Sequence, residues 1–243
     1  MENRTVCRYA WFGRVNYLDA WNLQKSLVSA RAEGLISDRL LLLEHPPTYT
    51  LGPRGDLSHL LEDAKTLEEL GACLFQVDRG GDITFHGPGQ LVGYPILSLQ
   101  HRPGGPSRYM RDLEAVILRT LETFGISGCR IPGYTGVWVD GEKVAAIGVK
   151  INARRIAGHG FALNVSTDLS FFDRIVPCGI HGRKATSMEK ILKGRVSIEE
   201  VRREIVGNFG EVFQLSMEPD TTESALYSVV CGPENEGSHA DRP

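Results

Sequence analysis

The sequence lacks the features that mark membrane, nucleic-acid-binding and disulfide-bonded proteins. No stretch of its 243 residues approaches the ~18 consecutive apolar residues that a transmembrane helix needs. The formal net charge of −3 gives no support for nucleic-acid binding, which usually calls for a basic chain. The five cysteines are widely and irregularly spaced, which suits free thiols in a reducing compartment better than a disulfide framework.

The first residues also lack the apolar core of a signal peptide. Together with the cysteine usage, this predicts a cytoplasmic protein. The remaining composition is that of an ordinary globular domain, with 42% hydrophobic and 23% charged residues. A chain of this length is able to bury a substantial core.

Glycine and proline are concentrated in one stretch, residues 77–95, between two strand-like runs. Glycine lets backbone N–H groups approach a ligand closely, whereas a plain hairpin turn needs only one or two such residues. The polar side chains of Arg79, Thr84, His86 and Gln90 are interleaved with the glycines. This pattern favours a ligand-binding loop over a tight structural turn.

The periodicity of apolar residues predicts an α+β fold, with mainly antiparallel sheets and helices packed on them. The predicted strands are 6–15, 40–43, 73–77, 91–99, a hairpin over 135–151 that turns at Asp140-Gly141, and 156–165. The predicted helices are 17–32, 60–70, 109–124, 186–192 and 197–213. Loops are expected at 48–55 and 101–107. We expect a single catalytic domain over 1–217 and a mobile tail over 218–243.

Cys178 is the most suggestive cysteine, because it stands between Pro177 and Gly179. Little side-chain bulk lies beside it, so a large acyl group is able to reach its thiol. On the residues alone, a structural thiol and a nucleophile are equally good interpretations of Cys178. The other cysteines are expected to be small buried hydrophobes or, for the last of them, an inert tail residue: Cys7, Cys73, Cys129 and Cys231.

A nucleophilic thiol needs a neighbouring cation, base or helix N-terminus that lowers its pKa. The residues alone leave two kinds of partner open. The histidines of glycine-rich loops, His86, His159 and His181, would form a cysteine–histidine pair. Lys143, just after the Asp140-Gly141 turn, would stabilise a thiolate, although its spacing alone is more typical of a solvated hairpin lysine.

The sequence predicts neither a metal site nor a nucleotide cofactor. Cys178 and His181 have half the spacing of a zinc site, but no second pair of ligands stands at matching spacing. No P-loop or dinucleotide fingerprint is present. We therefore expect no cofactor.

Several segments resemble one family, the lipoyl/octanoyl transferases of lipoate biosynthesis. The matching segments are 79–90 with Tyr94-Pro95, then 136–139, 143–149, 159–164, and 175–180 followed by Thr186-Ser187. Each segment alone is weak evidence. All of them in the family's order are highly specific.

The resemblance implies the fold of the biotin/lipoate protein ligase catalytic domain. It also implies a cytoplasmic enzyme that moves an octanoyl group from octanoyl-acyl carrier protein to a lysine of a lipoyl domain. Such domains occur in 2-oxoacid dehydrogenase E2 subunits and in the glycine-cleavage H protein. The reaction would be the first step of endogenous lipoate biosynthesis and would need no ATP, nucleic acid or membrane.

The resemblance further implies roles for particular residues. Cys178 matches the acyl-bearing nucleophile, and Lys143 matches its acid–base partner. Tyr94 and His159 are further candidates for the wall of the acyl tunnel. The acyl pocket matches Arg79, Gly80, Gly81, Asp82, Ile83, Thr84, Phe85, His86, Ala146, Ile147, Gly148, Gly160, Phe161 and Ala162.

Three other functions stay open. An ATP-dependent lipoate–protein ligase of the same fold would need no nucleophilic cysteine, and a carrier-protein-binding module would use no thiol chemistry. A cysteine–histidine hydrolase would release free octanoate. If the protein binds an acidic carrier protein, arginines in its loops are expected to steer that carrier protein toward the site. These are Arg54, Arg79, Arg102, Arg108, Arg111, Arg154 and Arg183.

Overall fold

The computed structural model describes residues 4–176 and 184–221. The strands are Thr5–Arg14 (β1), Asp38–Glu44 (β2), Thr48–Leu51 (β3), Cys73–Gln76 (β4), Thr84–His86 (β5), Gln90–Ile96 (β6), Cys129–Ile131 (β7), Tyr134–Val139 (β8), Glu142–Ile151 (β9), Ala157–Asn164 (β10) and Leu215–Pro219 (β11). The helices are Tyr17–Ala32 (α1), Ala64–Glu69 (α2), Gly105–Thr123 (α3), Met188–Leu192 (α4) and Ile198–Phe213 (α5). Short 3-10 helices occupy Leu57–His59 and Leu169–Arg174.

The strands form two sheets. The large sheet has the order β11-β1-β2-β6-β10-β9-β8-β7, and the small sheet has the order β4-β3-β5. Among the described strands, β1 pairs parallel with β11 and β2, and β3 pairs parallel with β4. The other pairings are antiparallel. The predicted α+β class with mainly antiparallel strands is confirmed.

The large sheet is covered on both faces, which explains the continuous apolar run in β2. Leu40 and Leu42 belong to the core that helices α3 and α5 cover, whereas Leu41 and Leu43 pack with α1 on the other face. Because successive side chains of a strand point to opposite faces, the part of β2 that is packed on both sides, residues 40–43, is apolar at every position. No helix in the described part of the chain is long and apolar enough to cross a membrane.

Several helices have the predicted bounds because their end signals are local. Helix α1 spans the predicted range, and the chain leaves it through Gly34, whose φ is +76°. Helix α5 begins after Ser197, whose hydroxyl accepts a hydrogen bond from the Glu200 N–H at 3.3 Å. Helix α3 begins earlier than predicted, because Gly104 caps it and Pro106 fits its first turn.

Other predictions were wrong in detail. Residues 48–51 form β3 rather than a loop, and the predicted helix over 60–70 is reduced to α2. The fold continues beyond residue 217, because β11 pairs with β1 and the Asp220 carboxylate forms a buried ion pair with Arg39. Residues 222–243 of the expected tail lie outside the described residues.

Candidate active site

A cavity of about 700 Å³ lies between the glycine-rich loop and strands β9 and β10. Every residue of the expected acyl pocket except Phe85 lines it, and so do Lys143, Tyr94 and His159. Phe85 is buried instead in the small core beside β3, where its ring stacks on Phe171 with centroids 4.5 Å apart. Cys178 lies outside the described residues.

Strand β9 gives the cavity a long axis. Lys143 stands near the start of β9, and Val149 follows six residues later. At about 3.4 Å per residue, this part of the strand spans roughly 20 Å. His159 pairs with Val149, whereas Asn164 adjoins the part of β9 nearer to Lys143. Lys143 and His159 therefore mark opposite ends of the cavity.

The glycine-rich loop is held against β9 at close range. The Gly80 N–H donates a hydrogen bond to the Val149 carbonyl at 3.0 Å. A Cβ atom on Gly148 would lie 2.9 Å from the Gly80 carbonyl oxygen and 3.0 Å from Cδ of Arg79. Glycine is required there because the loop backbone approaches too closely for a side chain.

Arg79 is a buried structural cation, with only 7% of its surface exposed. Its Nη2 donates to the Thr50 carbonyl at 2.6 Å and to the Thr50 hydroxyl at 2.9 Å. Its Nη1 donates to the Gly80 carbonyl at 3.1 Å. The expectation that Arg79 steers a carrier protein from the surface is therefore wrong, because its guanidinium anchors the loop to β3.

Lys143 is half-buried at one end of the cavity. Its ammonium lies 4.7 Å from the centre of the Trp138 ring, a cation–π distance. Its backbone N–H donates to the Lys184 carbonyl, and its carbonyl accepts from the Thr186 N–H, both at 2.9 Å. The chain that follows the Pro-Cys-Gly segment thus enters the described fold in contact with Lys143.

The other described flank of that segment also adjoins the cavity wall. The Val176 N–H donates to the His59 carbonyl at 2.8 Å. The His59 Nδ1 lies 2.5 Å from a carboxylate oxygen of Asp82, which lines the cavity. The described residues that precede and follow 177–183 are therefore both joined to this site by hydrogen bonds.

Two of the three candidate histidines line the cavity, but both are engaged in structural contacts. His86 Nδ1 lies 2.8 Å from the Gln90 side-chain oxygen, and burial together with His45 and Arg79 holds the pKa of His86 well below its usual value. His159 Nε2 lies 2.7 Å from Asp78, and burial lowers the pKa of His159 despite that carboxylate. His181 lies outside the described residues.

Two of the polar groups at the end of the cavity around Tyr94 are buried and neutral. The Tyr94 hydroxyl lies 2.7 Å from Nε2 of His45, and Nδ1 of His45 lies 2.7 Å from the Val15 carbonyl. Because a carbonyl only accepts, Nδ1 carries the proton and Nε2 accepts from Tyr94. Burial lowers the pKa of His45 to about 4, so the ring is neutral near pH 7.

Asp78 bridges this end of the cavity to the surface. Its carboxylate accepts from Lys150 at 2.5 Å and from the indole N–H of Trp21 at 3.3 Å, in addition to its contact with His159. Partial burial opposes ionisation, but the hydrogen bonds from Lys150 and His159 bring the pKa of Asp78 to about 2. The carboxylate is therefore ionised at any working pH.

Sequence reasoning missed several residues of the site. Trp138 and Asn164 line the cavity and lie inside segments that carried the family resemblance, which was the available signal. Tyr17 also lines the cavity, but its place at the start of a helix gave no signal of that role. His45 follows the predicted strand 40–43, and its position gave no signal of a place in the site.

Two of the cysteines that were expected to be buried are exposed. Cys7 is buried, and burial raises its thiol pKa. Cys73 and Cys129 are exposed, so their interpretation as buried hydrophobes was wrong. Cys231 lies outside the described residues. Within residues 4–176 and 184–221, no group of three or more His, Cys, Asp or Glu side chains is arranged to hold a metal ion.

The chain matches one protein family over most of its length. The family model of the lipoyl protein ligase A/B catalytic domain matches residues 16–210. The octanoyltransferase of Rubrobacter xylanophilus is 55% identical over 201 residues, which cover 82% of this chain and 90% of that protein. The octanoyltransferase of a Roseiflexus species is 46% identical over 214 residues, covering 87% of this chain and 89% of that protein.

Solved structures share the fold at much lower identity. Lipoate-protein ligase A bound with ATP superposes with a TM-score of 0.68 at 16% identity, covering 94% of this chain and 95% of that one. A bipartite lipoate protein ligase from Thermoplasma acidophilum gives a TM-score of 0.69 at 16% identity, covering 94% and 93%. These confirm the fold of the lipoate ligase catalytic domain. With the relatives in sequence, they show that the chain belongs to the lipoyl protein ligase A/B catalytic-domain family and, within it, to the octanoyltransferases, which are acyltransferases.

Proposed function

We propose that this enzyme transfers an octanoyl group from octanoyl-acyl carrier protein to a specific lysine of a lipoyl domain, the first step of endogenous lipoate biosynthesis. The observation that carries the proposal is the environment of Lys143. Lys143 stands at one end of a ligand-sized cavity, and its backbone is hydrogen-bonded to the residues that follow the Pro-Cys-Gly segment. The identity to octanoyltransferases supports the choice of acyl group.

The first step is a thioester exchange. The Cys178 thiolate attacks the carbonyl carbon of the octanoyl thioester, and the tetrahedral intermediate collapses by breaking the bond to the phosphopantetheine sulfur. The Lys143 ammonium donates a proton to the departing thiolate. One thioester is replaced by another, so the step needs no external energy source.

The second step forms an amide. The amine of the lipoyl-domain lysine attacks the Cys178 thioester, neutral Lys143 accepts a proton from the attacking nitrogen, and Cys178 leaves as the thiolate. The two steps return Lys143 to the ammonium form. Replacement of a thioester by an amide drives the reaction without ATP.

The acyl chain would lie along β9, away from Lys143. Ala146, Ile147, Phe161 and Ala162 supply apolar wall on the paired strands β9 and β10. Gly148 lets the glycine-rich loop close over the strand. The reactive carbonyl would then be held at the Lys143 end while the tail is shielded from water.

Two exposed cations at the cavity fit the acidic donor. Arg54 and Lys184 line the cavity and are solvent-exposed. Positive groups at the entrance raise the encounter rate with an acidic carrier protein. The acceptors would be the lipoyl domains of 2-oxoacid dehydrogenase E2 subunits and the glycine-cleavage H protein. Exposed Cys73 and Cys129 suit a reducing compartment, and we place the enzyme in the cytoplasm.

The test is octanoyl transfer in the absence of ATP. The protein is mixed with octanoyl-acyl carrier protein and an apo lipoyl domain, and the mass of the lipoyl domain is followed. We expect the mass of one octanoyl group to appear on one lysine, without added ATP. Transfer only from free octanoate with ATP would make the protein a ligase. Release of free octanoate would indicate a hydrolase, and no reaction would leave a binding module.

A further inference from the structure

A chain of buried hydrogen bonds runs from the glycine-rich loop to the backbone of Lys143. His86 Nδ1 lies 2.8 Å from Oε1 of Gln90, and Nε2 of Gln90 donates to Oδ1 of Asn164 at 2.9 Å. Nδ2 of Asn164 donates to the Thr186 carbonyl at 2.9 Å. The Thr186 N–H then donates to the Lys143 carbonyl at 2.9 Å.

The direction of every bond in this chain is fixed by the partners at its ends. Both amide protons of Gln90 are used, one on the Phe85 carbonyl at 3.1 Å and one on Asn164, so its oxygen must face His86. His86 therefore carries its proton on Nδ1. Asn164 must present its oxygen to Gln90 and its amide group to the Thr186 carbonyl, and a flipped amide would lose both bonds.

The members of the chain are almost completely buried. Gln90 is 1% exposed, Asn164 is 4% exposed and Thr186 is 2% exposed. A buried carbonyl that loses its donor is not compensated by solvent. The carbonyl of Thr186 therefore depends on Asn164 for its hydrogen-bond donor. The N–H of Thr186 in turn holds the carbonyl of Lys143.

We propose that Asn164 is a positioning residue for Lys143, acting through Thr186. Residues 184–186 form a short parallel bridge with Lys143, and Asn164 ties that bridge to β10 from its other side. The bridge fixes where the Lys143 backbone stands relative to the cavity. The expected effect on the reaction rate rests on the proposed acyl transfer. Displacement of a catalytic group by about 1 Å lowers a rate by up to roughly 100-fold.

The test exchanges an amide for a carboxyl of the same shape. In Asn164→Asp, one carboxylate oxygen still accepts from Gln90, but the other opposes the Thr186 carbonyl with no proton to donate. At low pH the carboxyl is protonated and donates again. A defect of positioning therefore recovers as pH falls, whereas a defect of packing does not. Burial raises the pKa of such a carboxyl, which brings the recovery toward neutral pH.

Asn152→Asp is the matched control. The Asn152 side-chain oxygen accepts from the Ile156 N–H at 2.9 Å in the turn between β9 and β10, a bond that a carboxylate also makes. This turn is at the opposite end of β9 from Lys143. The control therefore reports the cost of the same substitution at a half-buried position where no donor is lost, and its activity should stay close to that of wild type. Asn164→Ala, which removes the donor without adding a charge, separates loss of the bond from burial of a charge.

Two measurements are made on each variant. Backbone hydrogen exchange follows the amides of Thr186 and Lys143, and single-turnover acylation by octanoyl-acyl carrier protein is followed from pH 5.5 to 8. We expect both amides of Asn164→Asp to exchange faster at pH 8, with acylation slowed roughly 10- to 100-fold. The ratio of its rate to the wild-type rate should rise as pH falls, while Asn152→Asp shows a flat ratio.

Unchanged exchange at Thr186 and Lys143 would overturn the proposal, and so would faster exchange with an unchanged acylation rate. A slowed rate whose ratio to wild type does not vary with pH would also contradict it. If Asn164→Asp does not fold, Asn164→Ala removes the donor without adding charge, and the exchange measurement decides. Absence of acylation in the wild type would refute the proposed function instead, and leave exchange as the test of the contact.

Discussion

The two ends of the cavity hold different polar groups. At one end, Lys143 is a half-buried cation held by backbone hydrogen bonds and a neighbouring indole ring. At the other end, Tyr94 and His45 form a buried, neutral pair whose protons are fixed by geometry. The two ends are joined by β9 and β10, the paired strands of the large sheet.

In the proposed reaction, this difference separates proton transfer at one end from binding of the acyl chain along the rest of the cavity. A group that gives and takes protons must keep some access to solvent or substrate, and Lys143 is only half-buried. A wall that encloses an acyl tail must present groups that need no further partner, so its polar atoms are already satisfied. The large sheet provides both ends because its strands β9 and β10 run from one end of the cavity to the other.

The largest effect is expected at the Lys143 end. Lys143→Ala removes the proposed proton donor and acceptor, and we expect octanoyl transfer to fall by about 10²- to 10⁴-fold. Lys143→Arg should fail similarly, because a guanidinium does not give up its proton near neutral pH. Single-turnover rates with octanoyl-acyl carrier protein measure both.

Lys190→Ala is the matched control for this change. Lys190 is another half-exposed lysine close by, paired with Glu142 at 2.8 Å, and exposed pairs contribute little to stability. We expect near wild-type transfer and melting temperature. A Lys143→Ala protein that acylates at the wild-type rate would place the chemistry elsewhere and end the distinction between the two ends.

The next effect is a pH dependence of stability at the opposite end. The pKa of His45 is about 4 in the folded protein and 6.5 in its ordinary state, so unfolding takes up a proton between these values. Stability is therefore full above pH 6.5 and is lost as pH falls toward 4, by up to about 3 kcal/mol. Denaturant unfolding from pH 4 to 7 measures the loss.

His45→Gln isolates this contribution from those of other buried histidines. Glutamine keeps one donor and one acceptor group for the partners of His45, the Val15 carbonyl and the Tyr94 hydroxyl, and does not titrate in this range. We expect its stability to fall less steeply below pH 6.5 than that of wild type. Parallel profiles for the two proteins would show that His45 is not held neutral by burial.

A smaller loss is expected for Tyr94→Phe. The change removes the hydroxyl donor to the buried Nε2 of His45, and an unsatisfied buried acceptor costs about 1–3 kcal/mol. Because the ring itself is kept, acylation at the Lys143 end should change much less than it does in Lys143→Ala. Chemical unfolding combined with the acylation assay separates the two. Equal loss of rate in both variants would contradict the division of roles.

The smallest effect concerns the exposed thiols. Cys73→Ser and Cys129→Ser should leave transfer and stability unchanged, because both side chains are solvent-exposed and neither lines the cavity. Cys7 should resist alkylation in the folded protein, since it is buried and burial raises its pKa. Timed alkylation with peptide mapping checks the order. Loss of transfer in Cys73→Ser would mean that a surface thiol takes part.

Local signals account for what the sequence predicted. The end of α1 follows from Gly34, and the bounds of α5 follow from the Ser197 cap and the apolar period of the helix. The Asp140-Gly141 hairpin follows from a turn with positive φ at both residues. By contrast, β3 and β11 were missed because short strands depend on partners distant in sequence. Their pairing depends on tertiary contacts, which no local sequence pattern indicates.

The site divides in the same way. The glycine-rich loop and Lys143 were identified from motifs, but the roles of His45 and Asn164 arise from contacts across the fold. Arg79 was misread as a surface cation because its burial depends on β3, which the sequence did not predict. The sequence identifies which functional group a residue carries, but it does not identify the residue that this group contacts in the fold.

The most direct test of the account is the location of the acyl group during turnover. Wild type and Cys178→Ser are mixed with octanoyl-acyl carrier protein without ATP, quenched within one turnover, and mapped by peptide mass spectrometry. We predict a hydroxylamine-sensitive octanoyl adduct on Cys178, absent from Cys178→Ser and discharged by an apo lipoyl domain. An octanoyl group on another residue, or transfer by Cys178→Ser at the wild-type rate, would contradict it.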